Sequence, residues 1–213
     1  MLRENPRSPY WDSRLWLGSK RVLDVLVSAT LLILLSPLLI LIAVLVKLTS
    51  PGPALYHWKV VGANGQPFVG YKFRSMVVNA DQLKSALLAK NEMTGPVFKL
   101  TNDPRITPIG GWMRKYSLDE LPQLYSVFVG DMSLVGPRPP LVTEYNKFTD
   151  YQKQKLAVKP GITCLWQVSG RNHVDDFDDW VRLDLEYIHN WSLWLDLSIL
   201  FRTVGAVLSG SGK

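Results

Sequence analysis

The sequence predicts a mainly helical fold with a few short strands, attached to a membrane by an apolar segment near its amino terminus. Two observations carry this prediction. Residues 25–46 contain no charged side chain, and helical and strand signals follow one another through residues 54–208. A disordered chain is excluded, because 47% of the residues are hydrophobic and only 20% are charged. A length of 213 residues is enough for one sizeable domain.

The apolar segment, residues 25–46, is long enough for a helix that matches the thickness of a bilayer core. Ser36 and Pro37 interrupt it near its centre, where proline removes the helical partner of the Ile33 carbonyl and Ser36 can satisfy freed backbone groups. A kinked single-pass helix and a re-entrant hairpin are both open. Positive charge marks the cytoplasmic side, and both flanks are basic, which favours the hairpin. The basic residues are Arg3, Arg7, Arg14, Lys20 and Arg21 before the run, and Lys47, Lys59, Lys72 and Arg74 after it.

The elements that follow are read from turn signals and periodicity. The turn residues 62–65 separate two strands predicted over residues 54–61 and 67–73. Residues 136–140 cannot be regular because three of the five are proline. Loops are predicted over residues 93–108 and, with an optional short strand, 159–171. Helices are predicted over residues 79–88, 118–127, 141–157 and 181–208.

The last predicted helix, residues 181–208, is apolar and carries an aromatic stripe. Helical spacing places Tyr187, Trp191, Trp194 and Phe201 on one face. We expect Phe201 to pack into the core. For Trp191 and Trp194 a position at the membrane interface is also open, since indole rings concentrate there.

Composition restricts the chemistry. Lys and Arg number 24 against 18 Asp and Glu, an excess that suits nucleotides, anionic lipid or nucleic acid. The single cysteine, Cys164, excludes an internal disulfide. The sequence contains no zinc-site spacing, no Gly-rich phosphate loop and no G-x-S-x-G motif.

Residues 114–122 combine two adjacent carboxylates with a nearby cation. Ser117 and Glu120 have the spacing of a capping box, so Asp119 and Glu120 could simply cap a helix. The alternative is catalytic, because one carboxylate can attack while its neighbour holds a divalent cation that screens phosphate charge. Arg114 lies just upstream and can bind a phosphate.

Other cations fit the same picture. Lys72 and Arg74 alternate along the second predicted strand, and Arg138 stands between prolines, which reduces the entropy lost on binding an anion. Any one of them could be an ordinary surface charge. Together with the acidic pair they suggest a phosphate site at a membrane surface.

Several longer motifs follow one another along the chain: Lys20-Arg21-x-x-Asp24, Ser36-Pro37, Ser50-Pro51-Gly52-Pro53, Lys72-Phe73-Arg74-Ser75-Met76, Asn102-Asp103-Pro104-Arg105, Ser117-Leu118-Asp119-Glu120-Leu121-Pro122-Gln123-Leu124, Gly130-Asp131-Met132-Ser133-Leu134-Val135-Gly136-Pro137-Arg138-Pro139, Lys159-Pro160-Gly161-Ile162-Thr163 and Trp166-Gln167-Val168-Ser169-Gly170-Arg171. Through these motifs, over about residues 20–208, the sequence resembles the bacterial sugar transferases, the monotopic polyprenyl-phosphate phosphoglycosyl transferases. Many relatives carry Arg-Val-Gly where this chain has Val60-Val61-Gly62.

The resemblance implies a membrane-associated α/β fold, mainly α, with interfacial amphipathic helices and a re-entrant helix broken at Ser36 and Pro37. Residues 1–50 would form an amino-terminal arm and this helix. Residues 51–213 would form a catalytic domain on the cytoplasmic face of the bacterial inner membrane.

The resemblance also implies an activity. A sugar-1-phosphate, with glucose expected ahead of galactose, would pass from a UDP-sugar to undecaprenyl phosphate with release of UMP, as the first membrane step of exopolysaccharide, capsule or O-antigen assembly. Asp119 would form a covalent phosphosugar intermediate, and Glu120 would work with Mg²⁺. Arg114, Arg138, Lys72 and Arg74 would bind phosphate.

The implied partners are the UDP-sugar, undecaprenyl phosphate and membrane lipid, with no nucleic acid, while a homo-oligomer is open. Two other readings compete with the transferase: a catalytically silent, membrane-anchored scaffold of a glycan assembly complex, and a peripheral anionic-lipid binder without chemistry. The intact pair of Asp119 and Glu120 disfavours both.

Overall fold

The computed structural model describes residues 8–169 and 175–210. Several residues used above lie outside the described residues: Arg3 and Arg7 of the first basic flank, and Gly170 and Arg171 of the last motif.

The predicted membrane segment forms two helices. Its first half is the end of helix α1 (Arg14–Leu34), and its second half lies in helix α2 (Ser36–Thr49). The two helices are bent by 62° at the break between them. The Ser36 hydroxyl donates to the Ile33 carbonyl at 2.8 Å, so it satisfies the group that Pro37 deprives of its partner. Within the described residues, no helix is long and apolar enough to cross a bilayer alone, whereas this bent pair meets the requirement together by length and composition.

Two small sheets follow. Strands β1 (Leu55–Val61) and β2 (Pro67–Phe73) form the predicted antiparallel hairpin, with Trp58 opposite Gly70. Strands β3 (Ser133–Val135) and β4 (Gly161–Thr163) pair in parallel. With the helices around them, these strands confirm a mainly helical α/β fold.

Helix α3 (Ala80–Leu87) confirms the prediction over residues 79–88. Helix α4 (Pro108–Lys115) was not predicted, although Thr107 caps it by accepting from the Gly110 N–H and Pro108 occupies its first turn. The helix predicted over residues 118–127 is wrong in its first part. A 3₁₀ turn (Leu118–Glu120) precedes α5 (Gln123–Val129).

The helix predicted over residues 141–157 is also interrupted. It consists of α6 (Val142–Tyr145), α7 (Asp150–Lys153) and a 3₁₀ turn (Gln154–Leu156). Thr149 starts α7 through a capping box with Gln152, a local signal that competes with one continuous helix. A short α8 (Leu165–Val168) follows β4.

The single helix predicted over residues 181–208 is wrong. The chain instead forms α9 (Phe177–Asn190) and α10 (Leu193–Leu208), because Ser192 caps a new helix by accepting from the Leu195 N–H. The shared aromatic face is therefore lost. Trp191 is fully buried and stacks on Trp11 at 4.1 Å, which rules out the interfacial position.

The two remaining aromatic residues of the stripe lie on the surface of α10. Phe201 is 82% exposed, so the prediction that it packs into the core is wrong. Trp194 is 79% exposed, as a position at a membrane interface requires. Both lie on the solvent-facing side of α10, whose buried residues are Asp196 and Ile199.

Buried polar contacts attach α1 to the rest of the domain. Lys20 Nζ lies 2.5 Å from Asp196 Oδ2 and 3.1 Å from the Val135 carbonyl oxygen. Asp196 also accepts from the Tyr187 hydroxyl at 2.7 Å and from the Trp191 indole at 3.2 Å. One turn after Lys20, Asp24 accepts from the main-chain N–H of Leu134 at 2.9 Å. These bonds join α1, α9, α10 and β3.

Replacing Lys20 by Met should destabilise the protein by about 3–5 kcal/mol, because it leaves the Asp196 carboxylate buried without its cation. Thermal and chemical unfolding in detergent measures the change. Lys153→Met is the matched control, since the pair of Lys153 with Asp150 is exposed and should matter little. Equal stability of the Lys20→Met variant and the parent would contradict the anchoring role.

Candidate active site

The two carboxylates lie in the 3₁₀ turn (Leu118–Glu120), and their backbone is set by an unusual residue before them. Ser117 has φ = 54°, in the left-handed region that few residues other than glycine adopt. Its side chain makes no capping hydrogen bond. The capping-box reading of Ser117 and Glu120 is therefore wrong, and the Glu120 carboxylate is directed to another partner.

That partner is Lys72 on β2, whose Nζ donates to Glu120 Oε1 at 2.6 Å. Arg138 Nη1 approaches the same oxygen at 3.4 Å. Lys72 Nζ also lies 4.2 Å from the centre of the Trp58 ring. Trp58 itself requires Gly70 opposite it, because a Cβ there would lie 2.2 Å from the indole nitrogen.

Arg114 reaches the site from the last turn of α4. Its Nε donates to the Ser75 hydroxyl at 3.0 Å. Gly110 lets α4 pack directly on the chain after β2, since a Cβ at Gly110 would lie 2.0 Å from the Ser75 carbonyl oxygen. The structure thus brings Arg114, Lys72 and Arg138 to one cavity lined also by Asp119 and Glu120.

Arg74 has a different set of partners. Its three guanidinium nitrogens donate to the main-chain carbonyls of Ser50, Pro51 and Pro53, at 2.6 to 3.0 Å. Arg74 therefore ties the turn after α2 to the end of β2. It also lines the cavity, and phosphate binding by Arg74 stays a prediction.

The cavity has a volume of about 450 Å³, within the usual range for small-molecule sites. Its lining includes a cationic group formed by Lys84, Lys99, Arg105 and Arg114. It also includes an aromatic wall, which we define as Phe148, Trp166, Phe177 and Trp180, together with Lys155. The sequence patterns did not predict this wall. Trp166 lies in the last motif, and Phe177 and Trp180 lie within and directly after residues 175–179, four of which are Asp.

Burial and charge act in opposite directions on the acidic pair. Burial raises the pKa of Asp119, which is 7% exposed, and the Glu120 carboxylate raises it further, while Lys72, Arg114 and Arg138 lower it. Burial also lowers the pKa of Lys72, and the Glu120 carboxylate is the main influence that raises it. Three cations thus face two carboxylates, and the excess positive charge suits a phosphate ligand.

The carboxylates of Asp119 and Glu120 are candidate ligands for Mg²⁺. In residues 8–169 and 175–210, no three His, Cys, Asp or Glu side chains form a cluster that could hold a metal ion by themselves. Mg²⁺ is commonly bound through one or two carboxylates plus substrate phosphates and water. Asp119 and Glu120 in one cavity fit that smaller donor set.

Comparison with known proteins gives a consistent result. The family model described as bacterial sugar transferase matches residues 15–210. The galactosyl transferase CpsE of Streptococcus agalactiae is 56% identical over 76% of this chain and 36% of its own length. An undecaprenyl-phosphate galactose phosphotransferase of Salmonella typhimurium is 48% identical over 91% of this chain and 41% of its own length.

A third relative is named for another sugar. The UDP-glucose:undecaprenyl-phosphate glucose-1-phosphate transferase of Klebsiella pneumoniae is 41% identical over 87% of this chain and 39% of its own length. This chain therefore spans less than half the length of these three relatives.

Replacing Asp119 by Asn should raise the free energy of unfolding at neutral pH. The pKa of Asp119 is raised in the folded protein, so ionising the buried carboxylate costs stability as the pH rises from its ordinary pKa of 3.8 through the folded value. The advantage of the amide should be complete above that window and vanish below it. Unfolding of both proteins across acidic and neutral pH measures this difference.

Asp131→Asn is the matched control, because Asp131 is exposed and its substitution should leave the pH dependence of stability unchanged. An Asp119→Asn protein less stable than the parent at neutral pH would show that Lys72, Arg114 and Arg138 outweigh burial.

Proposed function

Since this chain belongs to the bacterial sugar transferase family, we propose that it transfers a sugar-1-phosphate from a UDP-sugar to undecaprenyl phosphate and releases UMP. The observation that carries the proposal is the buried Asp119 beside Glu120, in one cavity with the cations of Lys72, Arg114 and Arg138. A carboxylate nucleophile and a cationic phosphate site are the two components that such a reaction requires.

In the first step, an Asp119 carboxylate oxygen attacks the phosphorus that carries the sugar. The bond from that phosphorus to the oxygen of the UMP phosphate breaks, and UMP leaves with the electron pair. In the second step, a phosphate oxygen of the lipid attacks the same phosphorus and the aspartyl bond breaks. The Asp119 carboxylate is regenerated, and no net proton is consumed.

The surrounding residues support both steps. The guanidinium groups of Arg114 and Arg138 and the ammonium of Lys72 offset the charge on the transferred phosphoryl group. Because the two anionic substrates use the cavity in turn, they never have to occupy it together. The raised pKa of Asp119 makes the carboxylate a stronger base and nucleophile once it is deprotonated.

We assign the metal position to the acidic pair. Glu120, together with Asp119 and the phosphates of the substrate, would hold Mg²⁺, and the bound ion supplies positive charge that screens the pyrophosphate. The short contact of Glu120 with Lys72 keeps its carboxylate at the cavity wall before a substrate binds.

The names of the relatives suggest which sugar this chain transfers. The two relatives with higher identity are named for galactose and the third for glucose. We therefore place galactose ahead of glucose, the reverse of the order expected from the sequence. The product would begin a repeat unit of an exopolysaccharide, a capsule or an O-antigen.

The membrane arrangement is part of the proposal. Residues 25–46 would form a re-entrant hairpin, with residues 51–213 on the cytoplasmic face of the inner membrane. The 62° bend and the hydrogen bond from Ser36 to the Ile33 carbonyl support it. The exposed Trp194, Phe201 and Leu208 of α10 would rest on the same membrane face.

Incubation of detergent-solubilised protein with UDP-galactose and Mg²⁺, without lipid acceptor, should release about one UMP per protein. Intact-protein and peptide mass spectrometry should then find a hexose phosphate on Asp119. Asp119→Asn should lose turnover by at least about a thousandfold, and Glu120→Gln should be severely impaired. Asp131→Asn should remain active.

Three outcomes would contradict this assignment. Full activity of a folded Asp119→Asn protein excludes Asp119 as the nucleophile. Sequential kinetics without an adduct favour direct attack by the lipid phosphate. No UMP release from any member of a UDP-sugar panel favours the silent scaffold.

The hairpin is tested by cysteine labelling in intact cells. Asn5→Cys and Asn64→Cys, each in a Cys164→Ala background, should both be shielded from a membrane-impermeant reagent and should label after permeabilisation. Replacing both Ser36 and Pro37 by Ala should shift the balance towards a spanning helix, which moves position 5 outside. Labelling of position 5 from outside without these two substitutions would show a single-pass anchor.

A further inference from the structure

Three tryptophans that line the cavity have buried indole N–H groups without a hydrogen-bond partner. Within residues 8–169 and 175–210 they are Trp58, Trp166 and Trp180. The Trp58 nitrogen faces Gly70 of β2, so it is not a donor for a ligand. Elsewhere the buried Trp191 indole is satisfied by Asp196. Because an unpaired buried donor costs free energy, the N–H groups of Trp166 and Trp180 are candidates for donors that a ligand satisfies.

Two of these donors belong to the aromatic wall. The ring centres of Trp166 and Trp180 lie 4.1 Å apart, and Phe177 lies 5.6 Å from Trp180. Trp166, Trp180 and Phe177 are all at least nine-tenths buried. The wall is therefore tightly packed, and it offers the cavity apolar ring surface together with N–H groups.

A buried ion pair completes this part of the cavity. Lys155 Nζ lies 2.6 Å from Asp184 Oδ2, and both side chains are 1% exposed. The same ammonium lies 4.9 Å from the centre of the Trp180 ring, and Lys155 lines the cavity. A buried pair of this kind gives little net stability, and here it places a held charge beside the cavity lining.

One cavity joins this wall to the acidic pair. Arg138, Asp119 and Glu120 line it together with Lys155 and the aromatic wall, and Arg138 Nη1 lies 3.4 Å from Glu120 Oε1. A ligand whose phosphate binds beside Arg138 and Asp119 can therefore extend its next group along the cavity towards Lys155 and the aromatic wall.

We infer that the aromatic wall and Lys155 form the subsite for the hexose of the donor, with the N–H groups of Trp166 and Trp180 and the Lys155 ammonium donating to its hydroxyl groups. The inference rests on the proposed function. A hexose has apolar C–H faces that pack on aromatic rings and hydroxyl oxygens that accept hydrogen bonds. Both kinds of contact are present at this wall.

The order of the reaction distinguishes the hexose from the uridine. UMP must leave before the lipid phosphate enters, whereas the hexose stays on Asp119 between the two steps. The buried aromatic wall suits the hexose, because the hexose remains in the cavity between the two steps. The lining also contains Lys84, together with Lys99 and Arg105, whose charges are paired with Asp175 and Asp103. This polar part of the lining suits the nucleotide, which carries the leaving phosphate.

The test compares the binding of UDP-galactose and UDP to the full chain in detergent with Mg²⁺, measured by calorimetry. All proteins carry Asp119→Asn, so that affinity is measured without turnover. Trp166→Phe and Trp180→Phe each keep an aromatic ring and remove one N–H. Trp112→Phe is the matched control, because Trp112 is 45% exposed and lies outside the cavity lining.

Trp166→Phe and Trp180→Phe should each weaken the binding of UDP-galactose about fivefold to tenfold and leave the affinity for UDP unchanged. Trp112→Phe should change neither affinity. The ratio of the two affinities is insensitive to partial unfolding, because both ligands meet the same folded fraction. An equal loss of affinity for UDP would place the uridine at this wall and overturn the inference.

Unchanged affinity for both ligands would show that the wall serves only to pack the core, and this result would also overturn the inference. If the Asp119→Asn protein binds UDP but not UDP-galactose, the hexose subsite fails; if it binds neither, the proposed function fails as well.

Discussion

The buried pair of Lys20 and Asp196 sets the geometry on which the rest of the structure depends, because it fixes α1 against α10 and the carbonyl of Val135. Helix α1 runs directly into α2, so an anchored α1 also places α2. Ile42 and Val46 of α2 then pack with Phe73 of β2 in a second apolar cluster. Loss of the ion pair would therefore disturb the position of β2, which lies far from Lys20 along the chain.

The cavity around Asp119 and Glu120 depends on charges that burial makes costly. The surroundings of Asp119 raise its pKa, and those of Lys72 lower its pKa. Both environments therefore disfavour the charged form of the side chain and cost stability when that form is present. The left-handed backbone at Ser117 adds a further local cost. A bound phosphate would add negative charge where three cations outnumber two carboxylates. The cavity is thus suited to an anion, at a cost to the stability of the folded protein.

Local signals were readable in the sequence, and contacts between distant segments were not. Pro37 and Ser36 predicted the break, and the turn residues predicted the hairpin, since both effects act within a few residues. The acidic pair and its cations came from motif spacing, and the structure brings them together. The shared aromatic face and the core position of Phe201 were wrong because Ser192 caps a new helix, and an apolar run alone does not show that. The aromatic wall joins residues 148, 166, 177 and 180, whose proximity follows only from the tertiary packing.

Three consecutive residues, the last two of β2 and the one that follows it, connect the predicted membrane segment to the cavity. Phe73 packs with α2, Lys72 holds Glu120, and Arg74 binds the carbonyls of the turn that follows α2. Alternation along a strand sends neighbouring side chains to opposite faces, so one short strand can contact both the helix and the cavity. A lipid phosphate at the membrane surface near the end of α2 would then lie beside the same strand that positions Glu120. Because the cavity and the predicted membrane segment both contact β2, the proposed re-entrant arrangement and the proposed two-step use of one phosphate site would depend on the same strand.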